Sequence, residues 1–236
     1  SDGLHHSAAR IELGDLRINS ETSHKFSFSI EKRYQNWGFT LEPYANVIND
    51  FVVLEPTGVE FTIRGAFPVW SYRQTNAHLL GMDASAFIDW GSDWRTDHQF
   101  SLVKGKDVAK DIPLINIPSA NFTNRIRFSK KEWHGLEVSL FSNLVLRQNE
   151  FPPNIRVFSP EQQQEVLLEI NTPPDAYHLL GVTSKLEFSL GGTSVLSTSL
   201  NINNLLNTSF RDYLNRQRFF ADGLGRNVLI QLIFNY

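Results

Sequence analysis

Apolar and polar residues alternate with a period of two along most of this chain, which predicts strands rather than helices. Over 24–34, Phe26, Phe28 and Ile30 share one face against Lys25, Ser27, Ser29 and Glu31. Over 37–51, Trp37, Phe39, Leu41, Ala45 and Val47 oppose Thr40, Glu42, Tyr44 and Asn46. The same alternation runs through 95–104, 120–128, 135–147, 177–190, 196–202 and the final segment ending Val228, Ile230, Leu232, Phe234 and Tyr236. A less regular strand is expected over 69–90, with Leu80, Met82, Ala84, Ala86, Ile88 and Trp90 on its apolar face. The best helical candidate is short, PEQQQEVLL at 160–168, and would sit in a loop. The pattern predicts about nine strands, most of about 10–15 residues, against ~5–6 for an ordinary strand and ~9–11 for one that crosses a membrane.

The connections alternate in length. Short ones fall at 35–37, 91–94, 130–135 and 191–193, and long ones at 56–65, 105–113, 150–175 and 207–225. A soluble sandwich has no reason to alternate in this way, whereas an outer-membrane barrel has short periplasmic turns and long extracellular loops. Trp37, Trp90, Trp94 and Trp133 all lie at short-turn ends, and Trp70 lies at a long-loop end. Indoles favour the headgroup level of a bilayer, so the four predict an aromatic girdle on the periplasmic side. The polar faces are rich in Asn, Ser, Thr and Gln, with opposed charges such as Lys185 and Glu187. That composition suits a wet, hydrogen-bonding lumen.

Composition narrows the functions. The chain has 236 residues, a net charge of −3 and no cysteine. A basic nucleic-acid binder is disfavoured, and disulfide scaffolds, Cys-ligated zinc and thiol catalysis are excluded. Mean hydropathy is −0.26, which suits a soluble protein on average. It equally suits a membrane barrel, where half of each strand faces a polar lumen. The chain starts without Met, and Met82 is its one methionine. These features predict a piece of a longer β-rich protein. No nucleophile elbow, phosphate-binding loop or metalloprotease helix is present, so neither an enzyme nor a resident cofactor is expected. The pairs Asp83/Asp89 and Asp93/Asp97 suit turns and lumen walls better than acid–base chemistry.

The tail carries Asn204-Leu205-Leu206-Asn207, Phe210-Arg211-Asp212, Arg218-Phe219-Phe220 and Gly225-Arg226-Asn227, followed by a closing strand with an aromatic end. In these motifs it resembles the end of a TonB-dependent outer-membrane receptor. Upstream, 49–58 (NDFVVLEPTG), Tyr72-Arg73-Gln74-Thr75-Asn76-Ala77 with Leu80-Gly81 and Asp83, and Glu12-Leu13-Gly14-Asp15 resemble earlier strands of the same family. The resemblance implies an all-β, antiparallel transmembrane barrel of about 22 strands around a plug. Residues 1–236 would be a single partial domain, the C-terminal portion of that barrel, without the plug and TonB box. It implies TonB-energised import of an iron-siderophore or other metal chelate across a Gram-negative outer membrane. It also implies dealings with TonB, ExbB and ExbD, the barrel-assembly machinery, outer-membrane lipid and a small-molecule or metal-chelate ligand. Val228, Ile230, Leu232, Phe234 and Tyr236 would then be the sorting signal, with the C-terminus periplasmic.

On this topology the long loops carry the candidate ligand contacts. His5 and His6 are adjacent imidazoles on the extracellular side and could ligate a metal, although neighbours in an extended chain point apart. Asp50 and Glu55 lie at a strand mouth, and Arg156 and Phe158 lie in a loop long enough to fold over it. Arg211 and Asp212 read as loop-fixing residues. Two other readings remain: a passive porin, and a soluble β-sandwich adhesin or carbohydrate-binding module.

Overall fold

The computed structural model describes residues 3–5, 9–160 and 162–236. Every regular element among them is a strand. The first six are β1 (Gly3–His5), β2 (Arg10–Leu13), β3 (Thr22–Ser27), β4 (Ile30–Arg33), β5 (Trp37–Thr62) and β6 (Gly65–Trp90). Next come β7 (Trp94–Asp107), β8 (Ile112–Pro113), β9 (Asn121–Lys130) and β10 (Leu136–Val145). The last are β11 (Ile155–Ser159), β12 (Gln164–Leu168), β13 (Tyr177–Gly191), β14 (Ser194–Asn203) and β15 (Asn227–Asn235).

All but β11 and β12 belong to one sheet. Its wall runs β5-β6-β7-β9-β10-β13-β14-β15, each strand antiparallel to the next. β3 and β4 lie along the outer edge of β5. They are one strand with a gap opposite Pro43, which has no N–H to give to the ladder. Across that gap, Phe28 N–H still donates to Pro43 O at 3.1 Å. At the far edge β15 pairs, among the described residues, with β14 alone. The sheet is therefore open.

The register sorts the two faces. One row across the wall reads Trp37, Ile88, Thr96, Ile126, Leu140, Val182, Ile202, Val228. One residue along, on the opposite face, the row reads Asp89, Arg95, Arg127, Ser139, Thr183, Asn201, Leu229. Ile126, Leu140 and Val228 are exposed. The apolar face is thus an uncovered belt, the reverse of a sheet built to face water. On the polar face aromatic rings lie over glycines. A Cβ on Gly81 would stand 2.2 Å from the Tyr44 ring, and one on Gly181 2.0 Å from Phe141.

Three sequence expectations are corrected. The stretch 56–65 is not a loop: β5 and β6 stay paired to Thr62 and Gly65, with a register shift after Pro56 that takes up Thr57. Among the described residues of 160–168 there is no helix, and Gln164–Leu168 is strand. β11 and β12 form a hairpin in which Val157 faces Val166 and Ile155 faces Leu168, pairs that a short helix could not make. Trp70 lies within β6, paired opposite Pro56, and is 2% exposed rather than a loop residue.

β7 ends opposite Ala77, and the β5–β6 hairpin continues past it for about 40 Å at ~3.3 Å per residue. Its base carries the core: Ile48, Val53, Trp70 and Ala77 pack with Leu114, Ile115 and Ile170. Loops that leave the wall far apart in sequence fold onto this extension. β2 adds to it in parallel, with Ile11 to Leu13 beside Val69 to Ser71.

The glycine–aromatic pairs give a direct test. Gly181→Ala is expected to displace the Phe141 ring and cost about 1–3 kcal/mol in denaturant unfolding. Phe141→Leu in the same chain should recover much of that loss, and strictly additive effects would show that the ring does not rest on Gly181.

Candidate functional site at the loop end of the sheet

A one-residue bulge builds the floor of this region. Ile48 faces Ala77 and Phe51 faces Thr75, so β5 spends one residue more than β6. Asp50 takes φ +56° there. Gln74 Nε2 donates to Asp50 O at 2.7 Å, and Asp50 N–H donates to Asn76 Oδ1 at 3.3 Å. A bulge reverses the parity of the residues beyond it. Val53 and Glu55 therefore join the face of Thr75 and Arg73.

That face carries a charged network. Arg73 donates from Nε and Nη2 to the two oxygens of Glu55 at 2.7 and 2.8 Å, and from Nη2 to Asp107 Oδ2 at 2.5 Å. Thr75 Oγ donates to Asp107 Oδ1 at 2.7 Å, as does the Lys110 amide at 3.1 Å. Lys110 Nζ reaches Glu55 at 2.7 Å. The Asp107 side chain is 1% exposed. Burial alone would raise the Glu55 pKa, but the hydrogen bonds from Arg73 and Lys110 hold it below the ordinary value. Burial would likewise raise Asp107, and the bonds from Thr75, Arg73 and the Lys110 amide bring it below its ordinary value.

Beside the network stands the antiparallel pair β1 and β2. Arg10 Nε donates to Glu12 at 2.8 Å, and Tyr72 OH donates to the other Glu12 oxygen at 3.1 Å. His5 Nε2 lies 3.7 Å from Glu12. The Arg10 guanidinium covers the Trp70 ring at 4.6 Å.

The segment 204–226 closes the region from the other side, and its motif residues hold its shape. Asn204 Oδ1 accepts from Thr208 N–H at 2.8 Å while its Nδ2 donates to Thr208 O at 2.9 Å. Asn207 Oδ1 accepts from the Arg226 amide at 2.8 Å. Arg211 pairs with Asp222 at 2.6 Å, and Asp212 accepts from Tyr177 OH at 2.8 Å. Arg218, 6% exposed, donates to Tyr213 O and, at 3.1 Å, to Ile170 O. It lies against the rings of Tyr213 and Phe219 at 4.5 and 4.6 Å. Its Nε has no partner, and burial lowers its pKa.

Between these parts lies a cavity of about 700 Å³. Its walls are mostly apolar, from Val53, Leu54, Trp70, Ile115, Leu168 and Phe219, with Arg10, Arg216, Arg218 and Glu169 among them. The sequence candidates fall elsewhere. Asp50 holds the bulge, Glu55 belongs to the Arg73 network, and His5 lies beside Glu12. Arg156 and exposed Phe158 stand on β11, and His6 lies outside the described residues. Trp37, Trp90, Trp94 and Trp133 are exposed at the short-turn end, with Trp90 opposite Trp94. The cavity escaped sequence reading because its walls come from six separate stretches of the chain. The signals that could have found it are Trp70, the tryptophan that broke the girdle rule, and the closely spaced Arg216 and Arg218.

No family model matches the sequence, and no curated protein matches it. Solved structures do match the fold. A copper transporter, OprC, is similar with a TM-score of 0.72 at 15% identity, over 92% of this chain and 31% of that one. The iron transporter FrpB from Neisseria meningitidis has a TM-score of 0.64 at 13% identity, over 94% and 32%. The siderophore receptor PirA from Acinetobacter baumannii has 0.63 at 17%, over 94% and 33%. The chain spans about a third of each. All are TonB-dependent receptors of the outer membrane, so the resemblance seen in the tail extends to the fold of nearly the whole chain.

The Arg73 network sets a pH dependence. Both carboxyls sit below their ordinary values when folded, so the stability they give is full above the carboxylate range. It is lost as the pH falls through that range and on through the folded values. Arg73→Gln leaves buried Asp107 short of its cation and is expected to cost about 3–5 kcal/mol at neutral pH. Thermal unfolding followed down to about pH 3 should show the wild type approaching the variant, and a constant gap would place the stabilisation elsewhere.

Proposed function

We propose that this chain is the C-terminal part of the wall of a TonB-dependent outer-membrane importer, which takes up a scarce nutrient as an iron-siderophore or another metal chelate. One observation carries the reading: an exposed apolar belt crosses antiparallel strands whose other face is polar, and loops fold over one end of it around a cavity. Water disfavours such a belt and a bilayer requires one. The free edges at β15 and β3–β4 support a wall completed by further strands, because long unpaired edges invite aggregation.

In this reading Trp37, Trp90, Trp94 and Trp133 sit at the periplasmic headgroups. The residues Val228 to Tyr236 form the assembly signal, with the C-terminus periplasmic. The cavity end faces outward and meets the ligand. Energy comes from TonB with ExbB and ExbD, acting on a plug that this wall surrounds.

Two measurements test the proposal. Leu140, between Ile126 and Val182, faces the bilayer in this reading, so Leu140→Arg should cost ~2–4 kcal/mol in the membrane-inserted protein. Ser197, on the other face beside Glu187, should accept Arg at much smaller cost. Equal costs would refute the assignment of faces. Uptake of a labelled ferric or zinc chelate by intact cells should vanish when TonB is deleted, and uptake that survives would favour a passive porin.

A further inference from the structure

The cavity wall holds a surplus of donors and of positive charge. Arg10 has Glu12 as its counter-ion. Arg218 is equally buried, yet no acidic residue pairs with it among the described residues. Its direct contacts are two backbone carbonyls and two aromatic rings, and Asp212 acts on its charge from beyond ion-pair distance. Arg216, exposed on the same cavity, is likewise in no ion pair among the described residues. Glu169 is the one acidic group in the lining. The Arg218 Nε and the Trp70 indole N–H are both buried donors without an acceptor. Burying a cation without an anion is costly, and native structures avoid orphaned donors.

We propose that this cavity binds a ligand carrying an oxyanion, of the carboxylate or phosphate class, on an apolar body. Arg216 and Arg218 supply the charge, and the walls around Trp70 and Leu168 take the apolar part. A cavity of about 700 Å³ is of the size that encloses such a small molecule. The same charges repel a bare metal cation, so a metal reaching this site arrives inside an anionic chelate. This deepens the import reading and rests on it for what the ligand is for, although the binding itself is measurable without transport.

The test uses two matched probes, phenylphosphonate and neutral benzyl alcohol, titrated calorimetrically into the purified protein in uncharged detergent. Phenylphosphonate is expected to bind at least ~10-fold more tightly, and more tightly still at low salt. Arg216→Gln, at an exposed position that no described hydrogen bond uses, should weaken phenylphosphonate by about tenfold and leave benzyl alcohol unchanged. Arg216→Lys should keep most of the affinity. Equal affinities, no phenylphosphonate binding, or indifference to Arg216→Gln would each overturn the proposal. So would zinc ion alone binding in competition with the phosphonate. Chelate uptake that persists alongside equal probe affinities would sink the oxyanion site and leave the importer standing. Oxyanion binding without uptake would do the reverse.

Discussion

Consecutive side chains of a strand must leave on opposite faces, and strands held in register add these choices into rows. In this protein the rule operates across the wall from β5 to β15. It collects Ile126, Leu140, Val182 and Ile202 on one side and Arg127, Ser139, Thr183 and Asn201 on the other. A slip of one residue in any strand would send its apolar side chains to the polar face. The bulge at Asp50 uses the same rule constructively. By adding one residue it turns Val53 and Glu55 toward Thr75 and Arg73, and so begins the core and the charged network above the wall.

This explains what could be read in advance. Alternation is a local property, so the wall strands, their faces and the short turns were legible residue by residue. The hairpin beyond Pro56 was not, because Pro56, Thr57 and Gly58 read as a turn. Their place in a strand depends on Trp70 and Val69 being opposite them. The β11–β12 hairpin was hidden likewise: Gln162 to Glu165 favour a helix by composition, but the cross-strand pair Val157–Val166 lies beyond any helical window. The cavity is further still from local signals. Trp70, Ile115, Leu168 and Arg218 meet only after every intervening strand is placed.

Two arginines show opposite treatments of charge within one small region. Arg73 is shared between two carboxylates, with Thr75 and Lys110 completing their hydrogen bonds. The network is closed, so it fixes geometry. Arg218 is equally well placed in its carbonyls and rings but has no ion pair and an unused Nε, with Asp212 acting on it only from a distance. A closed network holds a scaffold, whereas an open one leaves a charge for another molecule to meet. The motif residues around Arg218 fit this division, since Asn204, Asn207, Arg211 and Asp212 spend their polar groups on shaping the segment that carries it.

The bond from Arg218 to Ile170 has a consequence for how the loop surface can vary. It ties the segment 204–226 to the chain that leaves the β11–β12 hairpin, two stretches that emerge from different strands. Replacing either one alone would strand a guanidinium or a carbonyl in an apolar setting. The two therefore form one exchangeable cassette: a graft that moves both keeps the roof intact, and a graft that moves one trades a new surface for a broken joint.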